Sequence, residues 1–395
     1  MIVRVRSKEI TFRLILILLM LYSALIPLEN VLAASFGGSI NKYIGLLIMG
    51  LICMHCIYAG VSRVYIPKWM FLFSFFSFCT MFWSVNQNFQ ILSVMLNVVL
   101  FTLIVIQYPL TADEKRWIII AIFVGGIVVS AMMLAGGTFT TINTIDRDRM
   151  SITIGGLTID NNNLAVSLSI CCLSGFSLIY KKKMNLVKKI LMWLGVALIG
   201  VGILRTGSRG GLLALVVGGI IFLLFSDSGL RPRTIIIGAM CVFGGMYYIQ
   251  NFMSVSLASR FTVAEVVSSG GTGRMDIWVS ALRYYVSAPI GRVLFGYGFG
   301  SFPTLMRKAM GVAKASHNDV VQMLLETGIV GLVLYFKMWM EMAQHAMKKK
   351  NATALALLAV AAVGSLSMEM LIKKMLWLTF LIAILSALDD LEIVE

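Results

Sequence analysis

Charged residues are scarce in this chain of 395 residues, where Asp, Glu, Lys and Arg together make up 13%. A soluble domain usually has about 25%. Hydrophobic residues instead account for 59%, and the mean hydropathy is +0.91. This amount of apolar surface excludes an ordinary soluble domain and indicates a membrane protein.

Cysteine is also rare, and the six cysteines all fall within predicted hydrophobic spans, which argues against disulfides. Cys53-Met54-His55-Cys56 has the spacing of zinc ligands. It lacks a second ligand pair and lies inside an apolar run. We therefore interpret it as buried thiols rather than as a zinc site.

Acidic residues number 18 against 33 Lys and Arg, which gives a net charge of +15. Such an excess can indicate nucleic-acid binding. Here the basic residues recur in short segments between apolar runs, as the positive-inside rule describes for membrane proteins. We therefore predict no nucleic-acid partner.

Apolar runs long enough for a spanning helix, about 20 residues, repeat along the chain. They predict an all-α polytopic membrane protein with about twelve transmembrane helices. The runs cover residues 12–32, 40–60, 69–84, 91–108, 117–136, 163–180, 187–204, 211–226, 234–250, 319–340, 352–368 and 375–388.

Basic residues predict the orientation of these helices, because short cytoplasmic loops retain Lys and Arg. Arg4 and Arg6 near the start and Lys348 to Lys350 near the end would share one side. Both termini are therefore predicted to be cytoplasmic, in a bacterial plasma (inner) membrane. A cleaved signal peptide is the alternative, but the first apolar run, about 21 residues, exceeds the typical ~7 to 15.

This orientation divides the chain into three parts. Residues 1–250 would hold helices 1 to 9, residues 251–318 a large extracytoplasmic loop, and residues 319–395 helices 10 to 12. Within residues 251–316, seven Lys and Arg stand against two acids. Because cations are disfavoured on the translocated side, they indicate an anionic ligand there, although a long solvated loop explains them equally well.

An amphipathic helix in this loop is predicted from an apolar stripe at helical spacing, Met275, Trp278, Leu282 and Tyr285. It would lie on the outer leaflet or pack on the helix bundle. The glycine-rich segment 296–300 is predicted to be a flexible turn rather than a phosphate loop, since no strand precedes it.

The short outer connection Arg205-Thr206-Gly207-Ser208-Arg209-Gly210-Gly211 has the chemistry of a phosphate site. Ser208 can cap the next helix, and this places Arg209 and the glycine amides at the positive end of that helix. Arginine adds a bidentate fork for phosphate oxygens. The alternative is an arginine that snorkels to the membrane interface.

The segment Ser316-His317-Asn318-Asp319 opens the tenth predicted span. A capping box formed by Ser316 and Asp319 would fix His317 at the helix N-terminus. The helix dipole there favours the neutral imidazole that a general base requires. A structural histidine is the alternative.

One acidic string, Asp146-Arg147-Asp148, is a potential metal site in an outer loop. Arg147 and Arg149 can neutralise the two carboxylates. We therefore predict that Asp146 and Asp148 are solvated and hold no metal.

Several of these segments occur in an order that resembles the O-antigen ligase and O-antigen polymerase superfamily. They are Asp160-Asn161-Asn162-Asn163-Leu164-Ala165, residues 205–215, Gly273-Arg274-Met275-Asp276-Ile277-Trp278, Pro289-Ile290, Gly296-Tyr297-Gly298 and residues 317–331. The resemblance implies a GT-C-like, metal-independent, inverting glycosyltransferase without cofactors. Its donor would be undecaprenyl-diphosphate-linked oligosaccharide at the outer face of the plasma membrane.

The resemblance also implies roles for individual residues. Catalytic roles carry over to His317, Arg209 and Arg274, which match motif positions one by one. Substrate binding is further predicted for a second group, which is Ser208, Gly210, Asn318, Arg283 and, more weakly, Arg205.

Two reactions fit such an enzyme. A polymerase would join O-antigen or capsular repeat units, whereas a ligase would transfer glycan to lipid A core or another terminal acceptor. We favour polymerisation because no separate acceptor-binding domain is visible. The expected partners are the lipid-linked donor, an acceptor glycan and membrane lipids, with a flippase and a chain-length regulator as further candidates. The alternative from another class is a flippase or transporter of the lipid-linked glycan, but the chain lacks the repeated halves typical of transporters.

Overall fold

The computed structural model describes residues 10–29, 39–60, 64–87, 89–139, 148–154, 157–181, 184–226, 232–262 and 273–388. Helices dominate this part of the chain, which confirms the all-helical prediction. The long helices are α1 (Ile10–Leu25), α2 (Ile40–Ala59), α3 (Lys68–Thr80), α4 (Phe89–Val105), α5 (Ala112–Gly136), α6 (Asn161–Lys181), α7 (Leu186–Arg205), α8 (Arg209–Phe225) and α9 (Pro232–Phe252).

The remaining helices follow in the second half of the chain. They are α10 (Val255–Ser259), α11 (Arg274–Val286), α12 (Ile290–Phe295), α13 (Phe302–Met310), α14 (Asp319–Lys348), α15 (Ala352–Ser365) and α16 (Lys374–Ala387). Two short antiparallel hairpins lie between α5 and α6. In them β1 (Thr138–Phe139) pairs with β2 (Met150–Ser151), and β3 (Thr153–Ile154) pairs with β4 (Leu157–Thr158).

Five helices are long and apolar enough to cross a membrane by length and composition: Ile40–Tyr58, Ala112–Gly136, Asn161–Tyr180, Leu186–Arg205 and Asp319–Lys348. Shorter apolar helices accompany them, including Arg209–Phe225 and Ala352–Ser365. The chain is therefore a multi-pass helical membrane protein. Twelve spans and cytoplasmic termini stay predictions.

Small residues let the central helices approach closely, as is common in membrane bundles. Gly211 of α8 touches Ala165 of α6, and a Cβ at Gly211 would overlap that alanine. Further along α8, Gly218 packs in the same way against Leu173 of α6 and Val360 of α15. These contacts fix α6, α8 and α15 as one unit, so the residues at their ends have defined positions.

The bundle has two ends with different cations. At one end, called the arginine end, α6, α8 and α14 begin near Arg149, Arg209 and Arg274. At the other end, called the lysine end, α5 begins and α16 stops. There Lys115 Nζ and Lys349 Nζ both donate to the carbonyl oxygen that follows α16 at Leu388, at 3.1 and 3.4 Å.

Gly328 interrupts the helical backbone inside α14 with a φ of +67°. Carbonyl groups before this kink are available to other donors. Tyr297 N donates to Leu325 O at 3.1 Å, and Gly298 N donates to Glu326 O at 2.8 Å. Residues 296–300 form a turn as predicted, and the amides of Tyr297 and Gly298 bond it to the kinked helix.

Helix α11 confirms the predicted helix in the loop, but its buried face differs from the predicted stripe. Ile277, Ala281 and Tyr285 are buried against α13 and α14, whereas Met275 and Leu282 are 51% and 43% exposed. The prediction failed at these two positions because it gave more weight to large side chains than to Ala281. The helix packs on the bundle through one face and keeps a second apolar face exposed.

Candidate functional site

Three helix N-termini meet at the arginine end. Side chains of Asp160, Ser208 and Asn318 cap α6, α8 and α14 by accepting backbone N–H bonds of 2.9 to 3.2 Å. The cap at Ser208 confirms the prediction for that helix. Each N-terminus carries a partial positive charge and backbone amides, so together they favour an anionic ligand.

Arg149 braces the starts of α6 and α8. It directly precedes β2 and is only 9% exposed. Its Nε donates to Thr206 O at 2.8 Å, and its guanidinium also reaches Asn162 Oδ1 at 3.4 Å. Ser208 Oγ donates to the same oxygen of Asn162 at 2.9 Å. The predicted role of Arg149, neutralising Asp146 and Asp148, stays a prediction, and the structure adds these contacts to it.

The glycines of the connection before α8 allow this close packing. Gly207 has a φ of +63°, and a Cβ there would lie 2.7 Å from Leu257 and 3.2 Å from Arg149. A Cβ at Gly210 would lie 2.9 Å from Ser367 Oγ. Gly210, predicted to bind substrate, therefore also allows the connection after α15 to approach α8.

Arg274 is the first residue of α11, and charged groups surround it. Burial lowers the pKa of its guanidinium, Asp160 opposes the shift, and Arg149 and Arg209 add to it. Coulomb interactions of this kind fall with distance and are screened by solvent. The structure thus brings Arg209 and Asp160 close to Arg274, although Arg209 and Arg274 are 65 positions apart in the sequence.

His317 precedes α14 in a left-handed backbone conformation, with a φ of +49°. Its neighbours hold this turn in place. Ser316 N donates to Glu369 Oε1 at 2.9 Å, and Asn318 N donates to Ser316 Oγ at 3.2 Å. Trp278 Nε1 donates to Ser316 O at 2.8 Å. Because Trp278 lies one turn after Arg274, this bond fixes the histidine turn relative to the arginine.

The capping box predicted from Ser316 and Asp319 is wrong. Asn318 caps α14, while Ser316 lies before the left-handed turn. Asp319 is buried and accepts from Met370 N at 2.9 Å. The left-handed backbone at His317 redirects the chain, so the spacing of a capping box no longer places its two members face to face.

The electrostatic surroundings of His317 favour its neutral form. Burial lowers the pKa of the imidazole and Arg274 lowers it further, while Glu369 and Asp160 oppose the shift. This direction agrees with the prediction from the helix dipole. The causes differ, since burial and an arginine account for it. The residue is half-buried, so part of it remains accessible.

Several predicted binding residues make other contacts. Arg205 Nε donates to Tyr248 OH at 2.7 Å, and its guanidinium also donates to Phe252 O at 3.1 Å. Arg205 therefore joins α7 to the end of α9. Arg283 is exposed, nine positions along α11 from Arg274. The carboxamide of Asn318 is used in the helix cap.

The acidic string is only partly described. Asp148 accepts hydrogen bonds from Ser254 Oγ, at 2.7 Å, and from Ser256 Oγ. Asp146 and Arg147 lie outside the described residues. Among the residues that the structure describes, no three His, Cys, Asp or Glu side chains are grouped to hold a metal ion.

Sequence reasoning missed three residues of this site, Arg149, Asn162 and Glu369. Glu369 had one signal, since it is an acid in the short connection between α15 and α16. Asn162 lies within a quoted motif but was given no role. Arg149 was assigned to the neighbouring acids, and sequence alone did not show its contacts with Thr206 and Asn162.

Comparison with protein families finds a match over part of the chain. Residues 194–336 match the family model described as O-Antigen ligase. The match contains Arg209, Arg274 and His317, and it confirms the resemblance to the O-antigen ligase and polymerase superfamily. No curated protein matches the chain.

Proposed function

Because residues 194–336 match the O-antigen ligase family, we propose that this chain is a membrane glycosyltransferase. Its donor is undecaprenyl-diphosphate-linked glycan, and it acts at the outer face of the plasma membrane. The proposal rests on one observation above others. Arg209, Arg274 and His317 gather where three helices begin, and this is an arrangement for an anionic leaving group beside a proton acceptor.

Arg209 and Arg274 bind the diphosphate of the donor. A guanidinium presents a planar fork that matches phosphate oxygens and stays charged at all physiological pH values. The amides at the start of α8 lie beside Arg209 and add donors from the backbone. As the bond between the anomeric carbon and the phosphate oxygen breaks, the leaving diphosphate gains negative charge that these groups stabilise.

His317 accepts the proton of the attacking hydroxyl. The acceptor oxygen bonds to the anomeric carbon while its proton moves to an imidazole nitrogen, and the diphosphate departs with the electron pair of the broken bond. The lowered pKa of His317 keeps the ring neutral and ready to accept. A single displacement of this kind inverts the anomeric centre.

Glu369 and Asp160 contribute negative charge near His317. Both carboxylates raise the pKa of His317 and so oppose the effect of Arg274. They stabilise the imidazolium that forms when His317 takes the proton. Positive charge from arginines and helix ends serves the leaving group, so the mechanism as proposed needs no metal.

Polymerisation of O-antigen or capsular repeat units is the preferred reaction, and ligation to lipid A core or another terminal acceptor is the alternative. Purified protein should be given lipid-linked repeat units alone, with a chelator present. A polymerase produces a ladder of lengthened glycans under these conditions. A ligase produces none until a terminal acceptor is added. Neither product under either condition would overturn the glycosyltransferase proposal.

A flippase of the same lipid-linked glycan is the candidate from another class. It differs in the expected product, because transport forms no glycosidic bond. Protein in liposomes should therefore be assayed for movement of labelled donor across the bilayer as well as for new linkages. Movement without new linkages would replace the enzyme with a transporter.

A further inference from the structure

A second candidate site lies at the lysine end, at the opposite end of the bundle from Arg149, Arg209 and Arg274. A cavity of about 350 Å³ opens between the start of α5, the ends of α6 and α16, and the start of α15. Its volume falls at the lower end of the range of small-molecule sites, roughly 300 to 1,000 Å³. A site for one inorganic ion needs far less room, so the cavity suits a larger ligand.

Three cations line this cavity, Lys115, Arg116 and Lys349. The two lysine ammonium groups both lie within 3.4 Å of the Leu388 carbonyl oxygen, so they are held near each other. Like charges at short distance repel, and an anion beside them is favoured. One part of the cavity lining is therefore positively charged.

A buried hydroxyl gives an independent indication of a ligand. Thr353 lines the cavity in the first turn of α15 and is only 4% exposed. Its Oγ1 has no hydrogen-bond partner. Buried hydroxyls normally have one, because an unpaired polar atom in an apolar site is unfavourable. An oxygen-rich ligand would supply the partner.

The walls of the cavity are apolar. Ile119, Leu178, Ile382 and Leu385 come from three helices that are apolar enough to lie in a membrane. A ligand whose phosphate group binds the cations would therefore place an apolar part against these side chains. Basic cavities between membrane helices on the cytoplasmic side are known to bind acidic lipid head groups.

We propose that this cavity binds an anionic phospholipid, whose phosphate contacts Lys115, Lys349 and the Thr353 hydroxyl while an acyl chain packs on the apolar wall. The site is separate from the arginine end and does not depend on the proposed glycosyl transfer. The lipid stabilises the packing of α15 and α16 on α5, because it contacts all three helices.

The test uses the full purified chain in neutral detergent. Thermal unfolding is followed while phosphatidylglycerol, phosphatidylcholine or inorganic phosphate is added. Phosphatidylglycerol should raise the Tm more than phosphatidylcholine does. Inorganic phosphate should have little effect, because it lacks the apolar part that fills the cavity.

Variants assign the effect to the cavity. The double variant Lys115→Gln, Lys349→Gln should bind phosphatidylglycerol about 30-fold more weakly, roughly fivefold for each lost cation. Thr353→Val keeps the shape of the side chain and should weaken binding about tenfold, whereas Thr353→Ser should restore it. Lys348→Gln removes an exposed cation that does not line the cavity and should bind like the wild type.

Three results would overturn the proposal. Equal stabilisation by both lipids would show that charge is not recognised. A full effect from inorganic phosphate would show an ion site without a lipid. Equal weakening by Lys348→Gln and the double variant would show general surface charge in place of a site. Since the measurement is binding, failure here leaves the transfer assay unaffected.

Discussion

Both ends of the bundle are positively charged, but their cations differ in surroundings, and the lysines outnumber Arg116 in the cavity at the lysine end. The arginine end holds Arg149, Arg209 and Arg274 beside capped helix starts. Arg149 is buried and Arg274 is half-buried. Lys115 and Lys349 instead reach the last carbonyl of a helix end. Arginine offers a planar fork with fixed geometry, whereas lysine is a flexible, strongly hydrated point charge.

The difference teaches that net charge is a poor guide to a site in a membrane protein. Lysines at one end follow from the positive-inside rule and need no ligand to explain their presence. Arginines at the predicted outer end run against that rule. Their neighbours Asp160 and His317 indicate a functional site, because these residues interact electrostatically with Arg274.

The most decisive test of this difference is whether the two ends lie on opposite sides of the membrane. Single cysteines at Lys308 and Lys349, both exposed, should behave in an all-or-none manner in intact cells. Lys308→Cys should react with an impermeant maleimide, and Lys349→Cys should react only after the cells are opened. The native cysteines require an unsubstituted control. Labelling in the reverse pattern would refute the predicted orientation.

Loss of the proton acceptor should give the largest change in rate at the arginine end. His317→Asn should slow transfer by roughly 10² to 10⁴, the usual contribution of a general base. Asparagine tolerates the left-handed backbone of this position, so the turn should remain. Transfer rate and donor binding are measured on the same preparation. Full activity with normal binding would make His317 structural.

The arginines should lose more than their charge when they are replaced by lysine. Arg209→Lys and Arg274→Lys each lose the bidentate geometry, and a charge-assisted bond contributes about 1.5 to 3 kcal/mol. Transfer should therefore fall by about 10- to 150-fold. The matched control at the lysine end is Lys348→Arg, which should leave the rate unchanged. Near-normal rates in both arginine variants would show that the arginine end needs only positive charge and not the planar geometry of arginine.

The helices could be predicted from the sequence because their length and apolarity are local properties. The start of α14 at Asp319 agrees with the predicted span, and so does the cap at Ser208. Local rules failed where a distant partner decides the geometry. The amides of Tyr297 and Gly298 bond to α14, and Asp319 bonds to Met370 in place of a capping box.

The candidate site was predicted in part. Arg209, Arg274 and His317 were named from a resemblance to a family, and composition or spacing alone would not have joined them. Glu369 was missed because its partner, Ser316, lies 53 positions earlier. Arg149 was missed because its contacts with Thr206 and Asn162 cross the starts of two helices.

A smaller effect is expected from Trp278, which positions the histidine turn. Trp278→Phe keeps the ring but loses the bond to Ser316 O, whose net contribution is about 0.5 to 1.5 kcal/mol. Transfer should slow about fivefold. In the His317→Asn background the same change should add almost nothing, since both act through one group. Equal effects in both backgrounds would show a general packing role for Trp278.

The smallest expected effect is a shift in pH dependence. His317 acts as a base only when neutral, so activity is lost as pH falls through its pKa. Burial and Arg274 lower that pKa, and the acidic limb of kcat/KM should therefore lie below the ordinary histidine value of about 6.5. Glu369→Gln removes a charge that raises the pKa, so the limb should move lower. Arg274→Gln removes a charge that lowers it, so the limb should move higher, while Arg274→Lys should leave it in place. If Glu369→Gln and Arg274→Gln shifted the acidic limb in the same direction, these two charges would not control the pKa of His317.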